Sequence, residues 1–115
     1  MKVAAVKIGF ELSGTKLCLP FAFICSLTQE NCSGNVIIEY VPRNYAVEYV
    51  DAERMVVEFC RHEIIDEELA HKVFEATWKG IKPDFLKVTV DVLKSKAHQP
   101  VQVWIERKHI PKALK

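Results

Sequence analysis

Hydrophobic and polar positions alternate most clearly near the end of the chain. Leu86, Val88, Val90 and Val92 fall on one parity and Lys87, Thr89 and Asp91 on the other, which predicts a strand over 85–93 with one buried face. Val101, Val103 and Ile105 against Gln102, Trp104 and Glu106 predict a last strand, after a connecting loop at 94–100 that ends in Pro100. Upstream, Val36, Ile38 and Tyr40 oppose Ile37, Glu39 and Val41, a strand over 35–41 closed by Pro42-Arg43-Asn44. Residues 16–24 read as a further strand. Pro20 within it demands an edge position or a bulge, because proline has no N–H for a ladder. Residues 2–11 alternate loosely and read as an extended segment ahead of the turn Ser13-Gly14-Thr15, and Tyr45–Val50 reads as extended too.

Between these strands the period lengthens to that of a helix. Ala52, Met55, Val56, Phe59 and Cys60 form one apolar stripe, with Asp51 as the expected N-cap and Glu53 in the first turn. After a break at Arg61-His62-Glu63, a second helix is predicted from near Asp66. Leu69, Val73, Phe74 and Ile81 share its inner face, Gly80 is the expected C-cap and Pro83 the stop. The order strand, strand, helix, helix, strand, strand predicts an α+β layer: a four-stranded antiparallel sheet backed by two helices. Its two end strands leave open edges, which in soluble proteins are often paired with another subunit.

A chain of 115 residues supports one core. Residues 1–15 are expected as an N-terminal extension of that single domain and 108–115 as a basic tail. The net charge of +1 gives no global field for a polyanion, so any nucleic-acid contact has to come from a local patch. The candidates are Lys94, Lys96, Arg107, Lys108 and Lys112, at one hairpin and the tail; the plainer reading is a solvated charged end. No apolar run reaches membrane-span length, and the first residues lack the pattern of a secretory signal. The expected location is the cytoplasm, where the four cysteines are usually free thiols, although intracellular disulfides occur in hyperthermophiles. Cys18, Cys25, Cys32 and Cys60 contain no C-x-x-C pair, so no structural zinc site is expected.

The stretch Phe23-Ile24-Cys25-Ser26-Leu27-Thr28 delivers a thiol from an apolar strand to the start of a polar loop. Such a boundary holds a nucleophile rigidly while exposing it. The competing reading is a small buried apolar residue, the commoner fate of a free cysteine.

Three blocks together resemble one family. They are Cys25-Ser26-Leu27-Thr28 with the strand Val36–Pro42, the segment Val47-Glu48-Tyr49-Val50-Asp51-Ala52-Glu53-Arg54, and Phe59-Cys60-Arg61-His62-Glu63-Ile64-Ile65-Asp66-Glu67-Glu68. Lys82-Pro83-Asp84-Phe85-Leu86-Lys87-Val88-Thr89-Val90 fits the strand that follows in that family. Over residues 16–107 the order and spacing resemble the QueF family of 7-cyano-7-deazaguanine nitrile reductases. The resemblance implies the tunnelling fold (T-fold), ββααββ, with subunits paired into an oligomeric barrel and active sites between chains. Where the reductases carry two lysines stand Val50 and Glu53, next to Asp51. Phosphate binding by that acidic segment is physically implausible. The chain therefore looks closer to the short archaeal branch, the QueF-like amidinotransferases. What this implies is a homo-oligomer acting on tRNA that carries 7-cyano-7-deazaguanine in the D-loop. A Cys25 thioimide is opened by ammonia to the amidine of archaeosine, with no redox cofactor and no metal. The alternatives are an NADPH-dependent reductase and a non-catalytic deazapurine- or tRNA-binding homologue.

The resemblance also distributes roles. Cys25 matches the nucleophile and Glu67 the glutamate that reads the guanine-like edge, where one carboxylate accepts from a ring N–H and an exocyclic amine. Glu48 matches a second edge-reading glutamate, and His62 matches the family pattern loosely as a substrate-side residue. Cys32 stands where the family has the aspartate of the proton shuttle. It is expected to pass a proton poorly, to be inert, or to form a reversible disulfide that masks Cys25, with Glu30 as a possible substitute carboxylate. Asp66 stands where the reductases have histidine. It reads either as a helix N-cap or as the residue altered to suit ammonia in place of hydride. Phe21, Phe23, Phe85 and Trp104 are candidates to stack on the base, and core packing is the competing reading for each.

Overall fold

In the computed structural model, which describes residues 1–95 and 99–110, the alternating segments become one meander. β2 (Thr15–Ile24), β3 (Asn31–Val41), β5 (Phe85–Lys94) and β6 (Val101–Lys108) form an antiparallel sheet in the order β2-β3-β5-β6. Two short strands, β1 (Ala5–Lys7) and β4 (Tyr45–Val47), pair separately. The helices α1 (Tyr49–Phe59) and α2 (Asp66–Ile81) lie between β4 and β5 in sequence and cover one face of the large sheet. Val36, Ile38 and Tyr40 from β3 meet Leu86, Val88 and Val90 from β5 under Leu69, Val73, Phe74 and Ile81 of α2, all buried. This is the predicted α+β, ββααββ layer. Pro20 is on β2, at a sheet edge, where its missing N–H breaks no inner ladder. No helix among the described residues is long and apolar enough to cross a membrane.

Tertiary contacts moved several expected boundaries. The N-terminal segment is built into the domain: Val3 is buried, its N–H donates to Ala76 O at 3.0 Å, and β1 zips onto β4. Asp51 is not the cap of α1. Its carboxylate accepts from Ala4 N at 2.7 Å and from Arg54, and Glu48 caps the helix instead, accepting from Val50 N and Asp51 N at 3.3 and 2.6 Å. Gly80 does not end α2. The helix continues through buried Ile81, and Lys82 takes the left-handed cap at φ 46° with its N–H on Trp78 O. Glycine is needed at 80 because a Cβ there would stand 2.7 Å from Val3 Cγ1 and closer still to the Val3 carbonyl oxygen. Cys32 lies in β3 and is buried, not in the polar loop, which closes within residues 25–30.

Candidate active site

Cys25 follows the last residue of β2 and is half-buried. The chain then makes one tight turn: Gln29 N donates to Cys25 O at 2.8 Å, Gln29 adopts φ 58°, and Glu30 O accepts from Cys25 N at 2.9 Å. This closes the turn at both ends of Cys25. It leaves the Leu27 and Thr28 amides and the Thr28 hydroxyl aimed at the Cys25 sulfur, the arrangement of an N-cap over the first turn of a helix. A second anchor comes from the segment before α2. Ser26 N donates to Ile64 O at 3.0 Å in a parallel bridge, and Gln29 Nε2 donates to Glu63 at 3.1 Å and to Ser26 O at 3.2 Å. The loop is therefore fixed from both sides without burying the thiol.

The amides and hydroxyl around the sulfur hold the Cys25 thiol below its ordinary range, the Thr28 N–H contributing most. Partial desolvation and the nearby Asp66 charge act the other way and are outweighed. The neighbouring thiols are opposite in character. Cys32 Sγ donates to Asp66 Oδ1 at 3.4 Å, and burial, then the Asp66 charge, push Cys32 up to about 12. Burial takes Cys60 to about 11. Burial likewise raises the Asp66 carboxyl, with Glu67 adding to it and the Cys32 bond opposing. One low thiol, one high thiol and one raised carboxyl thus meet where β2, β3 and α2 converge.

Of the expected site residues, the structure brings Cys25, Cys32 and Asp66 together. Asp66 is not an N-cap: Ile65 occupies that position without a side-chain bond, which frees the Asp66 carboxylate to turn inward to Cys32. Glu67 is the next residue in the first turn of α2, exposed and close enough to act on Asp66. All four cysteines are free, and Glu30 offers Cys25 its main-chain carbonyl. Glu48 does not reach this edge within one chain: its carboxylate is the α1 cap, at the opposite end of an 11-residue helix, about 16 Å long at 1.5 Å per residue, from Cys60. His62 is exposed on the rim of a groove of about 310 Å³ beside the site, lined also by Phe23, Ile24, Asn31 and Cys60.

Phe21 and Phe23 are buried and stacked at 5.4 Å, as core residues. Trp104 is 54% exposed on β6 with Lys87 over its ring at 5.3 Å, and Phe85 is half-buried. Arg107 is already committed: it stacks on Phe74 and Trp78 at 4.9 and 5.0 Å and pairs with Glu75 at 3.6 Å. Lys94 and Lys108 end their strands exposed, while Lys96 and Lys112 lie outside the described residues. No group of His, Cys, Asp and Glu among the described residues is placed to hold a metal ion. Thr28 and the Cys32–Asp66 pair were the features not anticipated. The signal for the first was Cys-x-x-Thr, a side-chain cap followed by a donor at the third position. For the second it was the shared parity of Cys32 with Val36, Ile38 and Tyr40.

If the turn sets the thiol, Thr28→Val removes the hydroxyl and leaves the fold intact. Alkylation of Cys25 by iodoacetamide, resolved by peptide mapping against pH, is expected to shift its midpoint upward in this variant. An unmoved midpoint would show that the Thr28 hydroxyl does not tune the sulfur and would leave the effect to the Thr28 and Leu27 amides, which valine keeps.

No protein-family model matches the sequence. A curated archaeosine synthase from Pyrobaculum calidifontis is 31% identical over 67 residues, 58% of this chain and 62% of the relative, so the match spans less than two thirds of that protein. The crystal structure of the archaeosine synthase QueF-Like in the apo form matches 89% of this chain and 100% of its own, with a TM-score of 0.79 and 26% identity. The chain is thus similar in sequence, over part of its length, to an archaeosine synthase, and similar in fold to the QueF-Like one.

Proposed function

We propose that the chain is a cytoplasmic tRNA-modifying amidinotransferase that converts the nitrile of 7-cyano-7-deazaguanine in the D-loop to the amidine of archaeosine. The observation that carries this reading is the Cys25 sulfur held over the Leu27 and Thr28 amides. A nitrile carbon is a weak electrophile and needs a thiolate. The sulfur adds to that carbon to give a thioimide. Ammonia then attacks the same carbon, the C–S bond breaks, and the amidine leaves Cys25 as it began. Glu67, exposed one residue beyond Asp66, is the acceptor for the ring N–H and amine of the base. The acidic, Arg54-engaged first turn of α1 offers no cradle for a dinucleotide phosphate, which supports ammonia over hydride as the second reactant.

The open edges of β2 and β6 and the exposure of Leu27 and Glu67 support a homo-oligomer in which a neighbouring chain closes each site. In such an assembly the RNA footprint is a local patch repeated by symmetry. Lys94 and Lys108 are its described candidates, since Arg107 is spent on α2.

The test is turnover of tRNA bearing the nitrile base. With ammonium and no NADPH, the nucleoside is expected to gain the mass of one ammonia. Product formed only with NADPH would make the chain a reductase. Tight tRNA binding without product would make it a binding protein.

A further inference from the structure

Addition of a thiol to a nitrile moves one proton: it leaves sulfur and arrives at nitrogen. The position expected to carry the shuttling carboxylate is Cys32, buried in β3. The side chain that Cys32 touches is itself a carboxylate, contributed by another element, with Cys32 Sγ 3.4 Å from Asp66 Oδ1. We propose that Asp66 is the proton-shuttling residue of this site and that Cys32 is the positioning residue that aims it. This inference rests on the amidinotransferase reading above.

The groups facing this centre come from four places: Cys25 at the end of β2, Cys32 on β3, Cys60 at the end of α1, and Glu67 on α2 beside Asp66 itself. Cys32 and Cys60 are pushed up to about 12 and about 11, too high to give and take a proton readily near neutral pH. Glu67 is exposed and assigned to the base. Asp66 is half-buried and raised, which makes its acid form available to give a proton. In the first step the Asp66 carboxylate takes the Cys25 proton, sulfur bonds to the nitrile carbon, and the π electron pair moves to nitrogen, which receives that proton from Asp66. In the second step ammonia bonds to the carbon, Asp66 takes the surplus ammonia proton, and the C–S bond breaks. The departing sulfur keeps the electron pair and regains the proton. The sum is nitrile plus ammonia to amidine, with Asp66 and Cys25 unchanged.

The active form then carries one proton on the Cys25–Asp66 pair, so the rate of adduct formation is bell-shaped in pH. It falls on the acid side through Asp66 and on the alkaline side through Cys25. The measurement is intact-protein mass after timed exposure to free 7-cyano-7-deazaguanine across pH, under reducing conditions. Asp66→Asn is expected to slow the adduct about 100-fold at neutral pH, as loss of a general acid–base does. It also turns the bell into a curve that only rises with pH, through the Cys25 limb. Cys32→Ala is a second handle. The Cys32 bond favours the ionised carboxylate, so its loss moves the acid limb to higher pH, and Cys32→Ser, which keeps a donor, restores it. A purely structural role for Cys32 would lower the amount of folded protein and leave the limb in place. If the wild type forms the adduct and Asp66→Asn keeps the wild-type bell, or Cys32→Ala keeps its acid limb, this inference is overturned alone. No adduct on the wild type overturns both it and the amidinotransferase reading.

Discussion

Replacing Cys25 by alanine is expected to abolish both the adduct with 7-cyano-7-deazaguanine and turnover on tRNA, while the chain stays folded. The fold has little at stake in this sulfur. Cys25 is half-buried, and the turn around it is held by main-chain bonds from Cys25, Ser26 and Gln29 that alanine keeps. The stability change should be within about 1 kcal/mol, as for other partly exposed truncations. The chemistry has no substitute nearby, because the Cys32 thiol is turned to Asp66 and raised to about 12 and Cys60 to about 11. Loss of a nucleophile in a committed site costs on the order of 10⁴-fold or more. Glu67→Gln should behave differently. It removes an acceptor and presents a donor to the base, so capture weakens about 100-fold, while adduct still forms at high base concentration. Intact mass separates the two. A Cys25→Ala protein that gains the mass of the base would move the nucleophile elsewhere.

The parts of this site legible in the sequence are those set by local periodicity. Val36, Ile38 and Tyr40 on one parity, and the 3.6-residue stripe through Leu69, Val73 and Phe74, predict the sheet and the helix that carries Asp66 and Glu67. A thiol at the end of an edge strand could be read too. What was not legible were choices between two local options decided by distant residues. Asp51 and Glu48 are both competent caps for α1, and Ala4, 47 residues away from Asp51, settles the matter by donating to Asp51. Gly80 has the signature of a C-cap, yet it is glycine because Val3 crosses it. Asp66 has the signature of an N-cap, yet its carboxylate is drawn to a thiol 34 positions earlier in the chain. The alternatives left open at Cys32 share this origin. Its neighbours in sequence are polar, and its shared parity with Val36, Ile38 and Tyr40 decides its side only because β3 extends back to Asn31 and pairs Cys32 with Phe23.

The largest loss of stability from a small change is expected at Gly34, for a reason that also concerns the site. Along β3 and β5 the register runs from Gly34 opposite Val92 to Ser33 opposite Lys94, which leaves Leu93 as the extra residue of a bulge. At that step β5 approaches β3 closely. A Cβ on residue 34 would stand 2.9 Å from Leu93 N and nearer still to the Asp91 carbonyl oxygen. Both are main-chain atoms held in the ladder, so neither gives way as a flexible side chain would. Gly34→Ala must therefore part β3 from β5 at an inner position of the sheet, losing ladder bonds of about 1 kcal/mol each and the packing of Val92 with them. The expected cost is roughly 3 kcal/mol, seen as a lower urea midpoint and a Tm lower by about 10 °C or more. Gly14→Ala is the control. Its Cβ would meet Tyr40 O at 3.5 Å, an ordinary contact, and its φ is not in the left-handed region, so stability should hold or rise slightly. Equal midpoints for the two variants would mean that β3 and β5 are not in this close register. Because Cys32 lies two residues before Gly34 on the same face of β3, the parted strand also carries Cys32 away from Asp66. Gly34→Ala protein that remains folded at low temperature should accordingly show its acid limb at higher pH in the adduct profile, as Cys32→Ala does, before it loses Cys25 reactivity.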